Sequence, residues 1–108
     1  MEERSKKLVV FISGRITGDP RYREKFAEAA AKLRKAQFIP LHSAELPIGL
    51  TEGEYMKISL AMLDAADAIF PLPDWEDSRG AMIEVSMAVK SGKKFVREEP
   101  DGTFTVSG

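Results

Sequence analysis

Two uninterrupted apolar stretches constrain the fold of this chain more than any other feature. Leu8-Val9-Val10-Phe11-Ile12, and Ala68-Ile69-Phe70 within residues 66–72, show no polar alternation, so strands built from them have no face to offer to water. A strand buried on both faces needs a covering layer on each side, and the intervening sequence supplies helices. Asp19-Pro20 has the form of a helix start, an acid at the N-cap and proline at the first helical position, and the helix runs to about Ala36. Tyr22, Phe26, Ala29, Ala30 and Leu33 make its apolar face, while Arg23, Glu24, Glu28, Lys32 and Arg34 make the solvated one. Residues 37–41 follow as a second strand and 42–50, containing Pro47 and Gly49, as a loop. Thr51 and Glu54 have capping-box spacing for a second helix ending near Ala65.

The strand at 66–72 leads through a turn into a third helix over 80–91, closed by Gly92. A fourth strand at 93–97 and the turn Pro100-Asp101-Gly102 deliver a last strand at 103–106. In 108 residues the order β-α-β-α-β-α-β-β predicts one domain over 1–108. Its class is α/β: a three-layer Rossmann- or flavodoxin-like parallel sheet with helices on both faces, right-handed crossovers and a C-terminal β-hairpin edge.

Charge narrows the partners. Sixteen basic and 17 acidic residues are interspersed to a net charge of −1, which offers no footprint to nucleic acid or an anionic membrane surface. The expected partner is a small molecule or a protein. Without cysteine there is no thiol chemistry, and the lone His42 lacks carboxylates at ligand spacing, so neither a metal nor a cofactor is expected. No apolar stretch approaches the ~20 residues of a spanning helix, and the charged leader 1–7 is not that of a signal peptide; the expected location is cytoplasmic.

The chemistry-bearing segment is Asp77-Ser78-Arg79-Gly80 with Glu84 four residues on, at a strand-to-helix turn. With Ser78 as N-cap, its hydroxyl and the free N–H groups of the first turn face an anion, which the helix dipole also favours. Gly80 and Glu84 share a face, and Glu84 leans back over the missing side chain of Gly80. The rise from Ser78 to Glu84 is about 9 Å at ~1.5 Å per residue, one pentose from phosphate to reacting carbon. A nucleotide suits those dimensions. The plainer alternative is a capped helix carrying a solvated Glu84. A second turn, Ser13-Gly14-Arg15-Ile16-Thr17-Gly18, also follows a strand, and both turns fall on the carboxyl edge of the sheet, where such folds bind ligands.

The turn Ser13-Gly14-x-Ile16-Thr17-Gly18, Ala66-Asp67 at the start of the third strand, and Ser78-x-Gly80-x-x-x-Glu84 together resemble the nucleoside 2-deoxyribosyltransferase-like superfamily, which includes 2'-deoxynucleoside 5'-phosphate N-hydrolases. The run L-D-A-A-D-A-I-F-P-L-P-D-W-E-D-S-R-G-A-M-I-E is similar to a compact phage and bacterial branch of it, and the resemblance extends from Leu8 to about Val96. It implies cleavage of an N-glycosidic bond with Glu84 as nucleophile, the 5'-phosphate on Ser78 and Gly80, and counter-charge from Arg79 or Arg15. It also implies a homodimer or higher homo-oligomer. The rival reading is a non-catalytic protein that sequesters or senses a nucleotide or an ADP-ribose-like ligand in the same cradle.

The sequence also departs from that pattern. Active members carry an aspartate on the second helix, and counting back eight from Asp67 gives Ser59; Asp64, five residues later, is turned away from it. The family's aromatic near the first turn has no counterpart, since Phe11 and Tyr22 are off position. Asp67 is expected to be structural. Trp75 either stacks on a base or packs at a subunit interface. Of Asp74, Glu76 and Asp77, at most one should face an anion, and Asp77 is an alternative helix cap.

Overall fold

Strand β1 (Val9–Ser13) sits at the centre of a five-stranded sheet, as its unbroken apolar sequence requires. The computed structural model describes residues 6–108, so the first five residues of the expected leader lie outside the described residues. The chain continues through α1 (Tyr22–Lys35), β2 (Ile39–Leu41), α2 (Glu52–Ala65), β3 (Ala68–Pro71), a 3-10 turn (Trp75–Asp77), α3 (Arg79–Lys90), β4 (Lys94–Glu98) and β5 (Phe104–Ser107). Strand order is β2-β1-β3-β4-β5, parallel except for the antiparallel β4–β5 hairpin at the edge. This is the flavodoxin-like order, with its switch point between β1 and β3.

Strand alternation sorts the core into two layers. Val10 and Ile12 pack with Ala68 and Phe70 against Phe26, Ala29, Ala30 and Leu33 of α1. Val9 and Phe11 pack with Ile69 against Leu63 of α2 and Val85 and Ala88 of α3. Phe11 and Ile12, both fully buried, each contribute about 1.5–3 kcal/mol by leaving water. The same parity turns Ser13 to the α2–α3 side, which decides where the site forms.

Most strand and helix ends fall within a residue or two of the expected ones, and at α1, β2 and β3 the difference has a local reason. Helix α1 begins at Tyr22, because the Asp19 carboxylate accepts the Arg21 N–H at 2.9 Å and folds Asp19-Pro20 into a turn instead of capping the helix. Its end is a Schellman turn in which Gln37, at φ 72°, takes the left-handed position more often filled by glycine, and β2 starts only at Ile39. Strand β3 starts at Ala68 because the Asp67 carboxylate accepts the Val9 N–H at 2.8 Å, standing in for a backbone carbonyl; Asp67 is structural, as expected. The capping box of α2 and the Ser78 cap of α3 form as the sequence indicates. No helix of the described residues is long and apolar enough to cross a membrane.

Candidate functional site

The carboxyl ends of β1 and β3 meet the N-terminal half of α3 at the switch point, and a buried carboxylate lies there. Glu84, on the inner face of α3, is only 6% exposed. Ser13, the last residue of β1, donates its hydroxyl to Glu84 Oε1 at 2.6 Å, and Ser59 of α2 provides a second hydroxyl partner. Burial pushes the Glu84 carboxyl up to about 7, and the two serine hydroxyls restrain the rise by stabilising the ionised form. Glu84 is therefore not a solvated surface charge. It titrates near neutrality, where a carboxyl group can serve as nucleophile or as acid and base.

One and a half turns away, Ser78 caps α3 by accepting the Ala81 N–H at 3.1 Å, and its carbonyl accepts the Met82 N–H. The N–H groups of Arg79 and Gly80 have no acceptor among the described residues and point out of the helix end with its dipole. Ser78, not Asp77, is the cap; Asp77 is exposed. A Cβ at Gly80 would stand 3.6 Å from Met56 Sδ, so the notch left by Gly80 is bounded by the thioether of α2.

The remaining expected residues divide. The Gly14 backbone is buried at the β1 turn, and Ile16 packs into the α1-side core. The Arg15 guanidinium folds back onto its own turn, donating to the carbonyls of Thr17 and Gly18 at 3.2 and 3.4 Å, and so does not face the α3 cradle. Arg79 is exposed and lines a shallow surface cleft with Met82, Ile83, Ser86, Met87 and Lys90, on the side of α3 away from Glu84. Trp75 packs against the α2–α3 core. Asp64 is exposed, as its helical offset from Ser59 indicated.

Sequence reasoning gave Ser59 only as the place of a missing acid. It lies three residues after Met56 and four before Leu63, inside the apolar stripe of α2, and a polar residue in a buried stripe is the signal that marks it. Lys25 and the role of Asp74 were not visible in the sequence. The Lys25 ammonium donates to Asp74 Oδ2 at 2.5 Å, Asp19 Oδ2 at 2.6 Å and the Arg15 carbonyl at 2.8 Å. Burial works to lower its affinity for a proton, but the bonds to Asp19 and Asp74 outweigh this and hold it above the ordinary lysine range. No group of His, Cys, Asp and Glu among the described residues is arranged to hold a metal ion.

The sequence matches the model of the family described as Domain of unknown function (DUF4406) over residues 8–97. The chain belongs to that family. No curated protein matches this DUF4406 chain in sequence. Among solved structures it is similar to the 2-desoxiribosyltransferase from Leishmania mexicana, with a TM-score of 0.65 at 19% identity, covering 94% of this chain and 79% of that one. At that identity the likeness establishes a shared fold, and it agrees with the flavodoxin-like sheet.

Proposed function

We propose that this DUF4406 protein binds a nucleoside or nucleoside 5'-phosphate and cleaves its N-glycosidic bond, with Glu84 as the nucleophile. The observation that carries the reading is a buried carboxylate titrating near 7, held on the same helix as the free N–H groups of Arg79 and Gly80. The phosphate sits at the α3 N-terminus and the pentose extends along the helix to the Glu84 carboxylate. One carboxylate oxygen bonds to the anomeric carbon as the carbon–nitrogen bond breaks, and the base leaves with the electron pair and takes up a proton from water. Water, or a second base, then opens the glycosyl ester and regenerates Glu84. The shared fold with a deoxyribosyltransferase is consistent with this chemistry.

Free-base release from a panel of ribo- and deoxyribonucleosides, their monophosphates and NAD tests it, with Glu84→Ala as control. Release should require Glu84 and, because the ionised form attacks, should climb as pH rises through about 7 and level off above it. Equal release by Glu84→Ala removes the nucleophile assignment. Ser59, a hydroxyl where the resemblance implies an acid, favours a second reading: a protein that holds the nucleotide, or an ADP-ribose-like ligand, without turning it over. Unaltered ligand recovered on the protein, with no base released, selects that reading. We also propose that two copies pair through the outer face of α3, where Met82, Ile83 and Met87 are each about 40% exposed.

A further inference from the structure

Ser13 is one of the two hydroxyl partners of the Glu84 carboxylate, and the position of Ser13 is fixed from outside the site. At the switch point the β1 and β3 ends are tied by four bonds. The Leu72 N–H donates to the Ser13 carbonyl at 2.7 Å and the Arg15 N–H donates to Asp74 Oδ1 at 3.1 Å. Lys25, reaching across from α1, donates to Asp74 Oδ2 and to the Arg15 carbonyl, so that one ammonium grips both loops. Gly14 lets them approach: a Cβ there would stand 2.8 Å from Leu72 Cδ1 and 3.2 Å from Asp74 Oδ1. Lys25 and Asp74 are only about a quarter exposed, which removes much of the screening that weakens surface ion pairs.

We propose that Lys25 and Asp74 form a positioning clamp for the candidate active site, setting the placement of the Ser13 hydroxyl against Glu84 by locking the β1 and β3 ends together. The inference rests on Glu84 being the reactive group of the proposed function. Asp74 is thereby a positioning residue and not an acid or base of the reaction, since both of its oxygens are engaged in the clamp. Burial and the hydroxyls of Ser13 and Ser59 are what shift the titration of Glu84. The clamp acts on Glu84 through the placement of Ser13, and the Ser13→Ala background separates that route from a direct effect of the Lys25 charge.

The test is a double-mutant cycle read by the carboxyl-carbon NMR titration of Glu84, whose resonance is identified by its loss in Glu84→Gln. Ser13→Ala removes the donor to the charged form and should move the Glu84 midpoint upward by about one pH unit. Lys25→Met should move it in the same direction, Lys25→Arg should restore most of the original midpoint, and Lys25→Met should add nothing in the Ser13→Ala background. A folded Lys25→Met with an unmoved or lowered midpoint, or a shift that persists without Ser13, overturns the proposal. If Lys25→Met does not fold, Asp74→Asn, which keeps the shape of the side chain, is put through the same cycle. The readout needs no substrate, so a parent that releases no base leaves the clamp testable by itself.

Discussion

Glu84 lies where a carboxylate costs stability whenever it ionises. In the unfolded chain it titrates near its ordinary 4.5, and in the fold at about 7. Between those values the folded protein keeps a proton that the unfolded chain has released, so stability falls as pH rises through this window and the loss is complete above it. At ~1.36 kcal/mol per pH unit the penalty is about 3 kcal/mol. Glu84→Gln, nearly isosteric with the protonated acid, should match the parent at pH 4 and exceed it at pH 8, by up to about 3 kcal/mol in urea unfolding. Equal stability of the two proteins at pH 8 would mean that the site is wetter than its burial indicates. A stability cost concentrated on one group with a chemical use is what an active site leads one to expect.

At the scale of elements, two glycines of the sheet edge make opposite predictions. Gly14→Ala forces a Cβ to 2.8 Å from Leu72 Cδ1 and 3.1 Å from Leu72 Cβ at the join of β1 and β3, and should lower stability by about 1–3 kcal/mol. Gly80→Ala meets only Met56 Sδ at an ordinary 3.6 Å and adds a better helix former to the first turn of α3, so thermal stability should hold or rise. The added methyl nevertheless fills the cradle, and monophosphate affinity should fall at least tenfold by calorimetry. Loss of stability in Gly80→Ala without loss of affinity would move the phosphate elsewhere. The same elements explain what the sequence could disclose. Apolar runs, the Thr51–Glu54 box and the Ser78 cap are local patterns, and they placed the strands, α2 and α3. Ser13–Glu84 and Lys25–Asp74 join residues 71 and 49 positions apart, and only the strand order brings them together. Arg15 and Trp75 were plausible ligand groups from sequence because nothing local shows which way a turn side chain points.

Among the described residues, α3 carries an apolar strip that the core does not use. On α3 the residues facing Glu84 are covered by the sheet and α2, while Met82, Ile83, Met87 and Val89 face outward, Val89 being 64% exposed. A second copy related by a two-fold axis perpendicular to α3 would present the same strip in reverse, setting the two helices antiparallel. That arrangement brings Glu76 and Asp77, just before α3, toward Lys90 of the other copy and opposes the two helix dipoles, so charge as well as apolar area favours it. It would also place the α3 N-terminus, where the phosphate is proposed to bind, close to the partner. Light scattering at tens of micromolar should give twice the 12.0 kDa chain mass, and Ile83→Glu, on an exposed position, should return it to 12.0 kDa with an unchanged far-UV spectrum. A parent that remains at 12.0 kDa over that range would assign the strip to a different partner and leave the Glu84 site complete within one chain.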